Sequence, residues 1–379
     1  MKISIAILKF LPLVCLLYLS GCGSDDDSGS GGTAPQETFK VSGDHLIDPC
    51  GNTVVLKGIN KMSVFDQDDP DGEQYFPEIA KTNANSVRIV WQAVSDNGTA
   101  TSLTQLENLI KNCIAQKMIP MVEMHEATCD FSQLTKVVSY WTRADVVALV
   151  QKYEHALLVN IANEAGDDNV TESQFLSAYK TAITNMRSAG IRPPLVIDAT
   201  GCGKNLDIFI NTAADLMAHD PDHNVMFSVH TYWSKEAIKY VQPTFIKDQL
   251  QKAADLDVPI IIGELAAYGG WPGDEEPDYE SCSTKGSIDY ETLLKEADQH
   301  DIGYYVWEWG PGNGYYNYNP PVMCPSLDIT SDGTYQSILS IPAGDATKGW
   351  IRETILDSDL SIKNTAVKTS YIQKGFTCQ

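Results

Sequence analysis

Basic residues are scarce in this chain. Of its 379 residues, Lys and Arg number 27 against 50 Asp and Glu, a formal net charge of −23. A chain this acidic repels phosphate backbones, which excludes general nucleic-acid binding. Nine cysteines are too few for a disulfide-built miniprotein and many for an inert cytosolic enzyme. None are spaced C-x-x-C, so metal binding by the cysteines is not expected. The seven histidines form no H-E-x-x-H motif, and neither a metal nor another cofactor is expected. After about residue 40 no linker-like stretch interrupts the chain. Core material is plentiful: 43% of residues are hydrophobic and 20% charged, which rules out wholesale disorder.

The first 21 residues, MKISIAILKFLPLVCLLYLSG, have a Lys near the start and then an apolar run that ends in small residues. This composition is that of a signal peptide; the competing reading is a membrane anchor, since the run approaches the roughly 20 residues of a span. The ending Leu19-Ser20-Gly21-Cys22 decides, because it resembles the lipobox of bacterial lipoproteins. That resemblance implies cleavage before Cys22 and lipidation of that cysteine. Gly23 stands where an inner-membrane retention signal places Asp, which favours the outer membrane, facing the periplasm or the surface. Residues 22–36 are Gly/Ser-rich and acidic and read as a flexible tether. The membrane is then a partner only through Cys22. Removing residues 1–21 takes away Lys2 and Lys9 and no acid, so the balance becomes 25 basic against 50 acidic, or −25.

Residues 37–379 read as one domain. Short apolar or β-branched runs recur as TVVLKGIN (53–60), NSVRIVW (85–91), MIPMVEMH (118–125) and ALLVNIAN (156–163). They continue as PLVIDAT (194–200), NVMFSVHTY (224–232), VPIIIGE (258–264) and IGYYVWEW (302–309). Stretches with helical apolar spacing lie between them; in one, Leu103, Leu106, Ile110 and Cys113 share a face. Eight strands alternating with helices predict an α/β fold, a (β/α)8 TIM barrel. The alternative is an open doubly wound sheet, but KGINKMSVF after the first strand is not the Gly-rich phosphate turn usual there. Polar side chains gather at the C-terminal strand ends, where barrel active sites are built: Asn60, Arg88, His125, Asn163, Glu164, Asp198, His230, Tyr232, Glu264, Trp307 and Trp309.

Glu164 ends VNIANE and Glu264 ends IIIGE. A carboxylate after a buried strand is costly unless paired or functional. Two of them, on the fourth and seventh strands, face each other across one mouth. That arrangement suits glycoside hydrolysis, in which one carboxylic acid protonates the leaving oxygen and a carboxylate faces the anomeric carbon.

The ordered set resembles glycoside hydrolase family 5. It consists of Arg88 after the second strand, His125 after the third, Asn163-Glu164 after the fourth, His230-x-Tyr232 after the sixth, Gly263-Glu264 after the seventh and a Trp after the eighth. The resemblance spans about residues 40–372 and implies a retaining (β/α)8 enzyme acting on β-linked glucans or mannans. MIPMVEMHEATC, VNIANE, MFSVHTY, VPIIIGE and the W-x-W strand followed by GPGNG look closest to bacterial endo-β-1,4-mannanases. Ala165 and Leu265 depart from the bulkier residues usual after the two glutamates, and GGWPGDEEPDYESCSTKGS is an unusual acidic loop. Both bear on subsite shape.

The resemblance implies Glu264 as nucleophile, ionised, with Arg88 and Tyr232 beside it. It implies Glu164 as acid/base, protonated at the start, with Asn163 on the sugar 2-OH. His125, His230 and the tryptophans complete the substrate site. Trp307 and Trp309 share one side of the last strand, and the family's spacing favours Trp309 as the subsite floor. Trp91, Trp233, Trp271 and residues 314–321 are candidates for outer subsites or for packing. Glu123 faces the same side as His125 and reads as a buried ion-pair partner of Arg88. His125 and His230 with Glu264 are weighed as metal ligands and set aside.

Cys113 reads as a buried free thiol. Among Cys50, Cys129, Cys202, Cys282, Cys324 and Cys378 there are 15 pairings. Cys282 with Cys324 is expected to clamp neighbouring loops, and Cys50 with Cys378 to tie the domain's ends. The expected partner is a β-linked polysaccharide (mannan, glucomannan or glucan), and the expected state is a monomer. An endo-β-1,4-glucanase, a transglycosylase and a non-catalytic glycan-binding lipoprotein are the alternatives.

Overall fold

A computed structural model describes residues 37–94, 98–234, 240–268, 288–311, 327–345 and 347–378. Cys22, the tether, Trp271, the 314–321 run and the expected Cys282–Cys324 bridge lie outside these residues. Among the described residues no helix is long and apolar enough to cross a membrane.

A small antiparallel sheet comes first: β1 (Lys40–Ser42), β2 (His45–Ile47) and β3 (Thr53–Val54). Eight parallel strands follow: β4 (Lys57–Lys61), β5 (Ser86–Trp91), β6 (Ile119–Met124), β7 (Leu158–Asn160), β8 (Leu195–Asp198), β9 (Val225–His230), β10 (Ile260–Leu265) and β11 (Gly303–Val306). They pair in sequence order, and β11 closes on β4, giving the expected (β/α)8 barrel. Each of the eight predicted runs coincides with one barrel strand, with β4 and β10 extending one residue beyond theirs. The first run is divided: Thr53–Val54 pairs with β2, and only Lys57–Lys61 enters the barrel. The hairpin β1–β2, turning at Gly43 with φ +60°, was not anticipated from the sequence.

Every residue of the eight barrel strands is buried, as a parallel sheet covered on both faces requires. Alternation sorts the side chains. Ile119 and Met121 on β6, Val196 on β8, Met226 on β9 and Ile261 on β10 join Leu158 and Tyr305 in one apolar cluster, which also takes in Phe39, Leu46, Tyr371 and Phe376. The hairpin and the C-terminal segment thus share a core with the lower barrel, and the Cys50–Cys378 disulfide joins them as expected. The other alternating face packs against the helices, in the cluster containing Val122, Val159, Ile197, Phe227 and Ile262. Continuing the inward parity upward leads to Glu123, Asp198 and His230, so the polar layer sits directly above the apolar one.

Glu264 reaches that layer through an irregularity. On β10, Ile262 pairs with Val229 and Glu264 with His230, so Gly263 is an extra residue and the register shifts. This bulge switches parity, which lets Ile261 face the apolar layer and Glu264 the mouth. Glycine is needed there, because a Cβ on residue 263 would stand 2.3 Å from Ser228 Oγ and 2.7 Å from His230 Nε2.

Candidate active site

Arg88, fully buried, is the hub of the mouth. Its Nη1 donates to Glu264 Oε1 at 2.8 Å and to Asn60 Oδ1 at 3.1 Å. Its Nη2 donates to Asn163 Oδ1 at 2.7 Å and Asp198 Oδ2 at 3.3 Å, and its Nε to Asn160 Oδ1 at 3.0 Å. A buried guanidinium is tolerable only when its donors are met in this way. Burial opposes its charge, but Glu123, Asp198, Glu264 and Glu164 outweigh that and hold the proton more firmly than usual. Glu123 forms the expected buried pair at 3.8 Å and also meets His125 Nδ1 at 2.9 Å.

Glu264 is gripped at both oxygens. Arg88 takes Oε1, and the Tyr232 hydroxyl donates to Oε2 at 2.7 Å. Burial, then the Glu264 charge, raises the Tyr232 phenol well above its ordinary value, so it stays a donor.

Glu164 is held differently. Its backbone lies in the left-handed region, φ +46°, and its N–H donates to Asp198 Oδ2 at 3.1 Å. His230 Nδ1 lies 2.7 Å from Glu164 Oε1 and 3.4 Å from Glu264 Oε1. One oxygen from each glutamate and a His230 nitrogen all lie within 4.8 Å of one another. Burial disfavours the imidazolium, but Glu264, Asp198 and Glu164 more than compensate and push the His230 pKa to about 9. The trio is compact enough for a cation, but the Arg88 guanidinium at 2.8 Å already supplies the positive charge beside Glu264.

Asn163 Nδ2 donates to Thr128 Oγ1 at 2.9 Å, so this side chain links the hub to the loop after β6. His125 lies nearly parallel to Trp307, with ring centroids 6.3 Å apart and planes 12° apart. Trp309, the residue favoured for the floor, does not share that place. It is fully buried, and its indole N–H is spent on the Gly333 carbonyl at 3.1 Å. The strand ends at Val306, so the period of two that paired the tryptophans no longer applies. Trp91 and Trp233 are likewise packing residues, their indoles donating to Tyr140 Oη and the Lys204 carbonyl. Cys113 is buried and free, as expected.

The structure brings Arg88, His125, Asn163, Glu164, His230, Tyr232 and Glu264, all read from the sequence, together at the mouth. Sequence reasoning gave no role to Asn160, which meets Arg88, or to Asp198, which meets Arg88, Glu164 and His230. Both are polar residues in otherwise apolar strands, and that cost was their signal. The Cys129–Cys202 bridge was one of the open pairings.

Residues 47–313 match the family model described as Cellulase (glycosyl hydrolase family 5). A mannan endo-1,4-beta-mannosidase of Cellvibrio japonicus is 28% identical over 281 residues, 72% of this chain and 59% of that protein. One from Salipaludibacillus agaradhaerens is 27% identical over 306 residues, 79% of this chain and 88% of its own length. This chain thus spans about three fifths of the Cellvibrio relative. The crystal structure of a beta-mannanase from Streptomyces thermolilacinus superposes with TM-score 0.69 at 23% identity, over 89% of this chain and all of that one, and so shares the fold. With a family match over most of its length and a closed barrel bearing two facing glutamates, the chain belongs to glycosyl hydrolase family 5.

Proposed function

We propose that this protein is a retaining endo-β-1,4-mannanase, with Glu264 as nucleophile and Glu164 as acid/base. The observation that carries the reading is the approach of the two carboxylates, with an oxygen of each inside 4.8 Å. Retaining glycosidases need about 5–5.5 Å between carboxyl groups, whereas inverting ones leave roughly 6.5–9.5 Å for a water.

In the first step Glu264 Oε attacks the anomeric carbon while Glu164 gives its proton to the departing glycosidic oxygen. In the second, Glu164, now a carboxylate, takes a proton from water as that water attacks the same carbon and frees Glu264. Arg88 and Tyr232 hold Glu264 aimed and charged until its charge passes into the covalent bond, and receive it again afterwards. Asn163, steered by Arg88 and Thr128, supplies an amide N–H to the sugar 2-OH. Trp307, beside His125, offers the apolar face on which the sugar stacks.

Mannan is favoured as substrate because the relatives above bear the name mannan endo-1,4-beta-mannosidase. Reducing-sugar release from mannan, glucomannan, soluble cellulose and mixed-linkage glucan tests it, with Glu164→Gln as control. Mannan and glucomannan should be cut, and the variant should not cut them. Activity confined to cellulose would make the enzyme a glucanase. Binding without turnover, unchanged in the variant, would make it a glycan-binding protein. We further infer that Cys22 carries lipid and tethers the barrel to the cell envelope, at the outer membrane. Fatty-acid labelling lost in Cys22→Ala is the expected result, and labelling that persists there overturns it.

A further inference from the structure

The corner that carries Glu164 is built from backbone in an uncommon conformation. Cys129, Glu164 and Cys202 have φ of +58°, +46° and +53°. Non-glycine residues in this region cost about 1–3 kcal/mol each and persist only where the surroundings over-determine them. Here the surroundings are two loops laced across a third. The Cys129 N–H donates to the Glu164 carbonyl at 3.0 Å, and the Cys202 N–H to the Gly166 carbonyl at 2.9 Å. Thr128 pairs with Ala165 in an isolated antiparallel bridge. The two donating residues are themselves joined by the Cys129–Cys202 disulfide. The loops after β6 and β8 are thereby fastened to each other over the end of β7.

The lacing reaches the carboxyl itself. Gly203, next to Cys202, runs so close that a Cβ there would stand 2.9 Å from both Glu164 Oε1 and the His230 Cβ. Its carbonyl accepts the His230 N–H at 2.8 Å. A shift of the Cys202 loop therefore moves the wall against Glu164 and the imidazole bonded to it together. Cys129 is exposed and Cys202 half-buried, so the disulfide adds a covalent tie to loops otherwise held by individual hydrogen bonds. Among these are the bonds from Cys129 N–H to Glu164 O, from Cys202 N–H to Gly166 O and from Asn163 Nδ2 to Thr128 Oγ1.

We propose that the Cys129–Cys202 disulfide is a positioning brace for Glu164, holding its carboxyl where it can pass a proton to the leaving oxygen. This rests on the reading of Glu164 as acid/base. Proton donation matters when the leaving group is a sugar alkoxide and hardly matters for a dinitrophenolate, which departs unassisted. The ratio kcat/KM reports glycosylation, the step in which the proton is given.

The test compares kcat/KM on mannohexaose and on a 2,4-dinitrophenyl β-mannobioside for wild type, Glu164→Gln, C129S/C202S and C50S/C378S. Glu164→Gln should lose activity on mannohexaose far more than on the aryl glycoside. C129S/C202S should show the same asymmetry, falling about 10- to 100-fold on mannohexaose, the scale of an ångström's misplacement. C50S/C378S, at the far end of the barrel, should leave both values near wild type. Equal losses on the two substrates in C129S/C202S, or none, overturn the brace. Equal losses in Glu164→Gln overturn the acid/base reading instead. If circular dichroism shows C129S/C202S unfolded, the same pair of substrates is run on C50S/C378S before and after reduction and alkylation. Mass spectrometry then locates the alkylated thiols, and with Cys129 and Cys202 modified the same two outcomes decide.

Discussion

The two corners of the mouth hold the same chemical group by opposite means. Glu264 sits within a strand, on the bulge at Gly263, and is fixed through its side chain by a buried guanidinium and a phenol. Glu164 sits past the end of its strand, on left-handed backbone, and is fixed mainly through its main chain and the loops around it. The difference follows the chemistry. A nucleophile needs one charge state on arrival and one direction of attack, and a clamp on both oxygens provides that. An acid/base must lose and regain a proton in each turnover, and a clamp on both oxygens like that on Glu264 would leave no oxygen free to carry it. Placing Glu164 by its backbone leaves its carboxyl, among the described residues, one hydrogen-bond partner, His230, on Oε1.

The largest test of this contrast removes the clamped group. Glu264→Ala should lower kcat roughly 10⁴-fold or more, as loss of a catalytic group does, while circular dichroism stays native. Near-normal sugar release would remove Glu264 from the chemistry. Next comes the clamp. Arg88→Ala leaves Glu264, Asp198 and Glu123 buried without their cation and should cost about 3–5 kcal/mol of stability, read from urea unfolding, besides most activity. Tyr232→Phe removes a single hydrogen bond to a charged group, about 1.5–3 kcal/mol, and should lower kcat about 10- to 100-fold. If Tyr232→Phe were as damaging as Arg88→Ala, the clamp would not be centred on the guanidinium.

How much of this could be read from sequence differs between the corners for the same reason. The barrel was legible because the parallel strands are buried on both faces and most therefore stand out as largely apolar runs, as in MIPMV and VPIII. The Glu264 corner was legible because side chains make it: Arg88, His230, Tyr232 and Glu264 each interrupt or end such a run. The Glu164 corner was only half legible. The residue itself was found, but a left-handed φ, a carbonyl that accepts from a distant N–H and the choice of Cys202 for Cys129 leave no local pattern. Trp309 went astray likewise, because alternation applies only while the strand lasts. The β1–β3 sheet was missed because three strands of two or three residues are too short to show a period.

His230 joins the corners and gives the next effect in size. Its folded pKa of about 9 lies above the ordinary 6.5, so the folded protein binds this proton more tightly than the unfolded chain. The resulting stabilisation is complete below about pH 6.5 and is lost as pH rises through about 9. It is on the order of 3 kcal/mol for a shift of this size. The difference in unfolding free energy between wild type and His230→Asn should therefore shrink between pH 6.5 and 9. A pH-independent difference would mean that His230 is neutral between the two glutamates.

The smallest effect on activity belongs to the disulfide farthest from both corners. Cys50–Cys378 ties the hairpin loop to the C-terminal segment, beside the cluster that fills the lower barrel. Its loss releases 328 residues of sequence separation in the unfolded chain, so C50S/C378S should unfold about 2–5 kcal/mol more easily. Yet it touches neither corner, and sites this independent change each other's energies by only a few tenths of a kcal/mol. Below the melting range its kcat/KM should therefore stay within about twofold of wild type. A disulfide acts on chemistry only where the segments it joins bear on a reacting group. A loss of activity in folded C50S/C378S comparable to that in C129S/C202S would show that the barrel transmits strain from floor to mouth. The separation of the two corners would then be a feature of contacts alone.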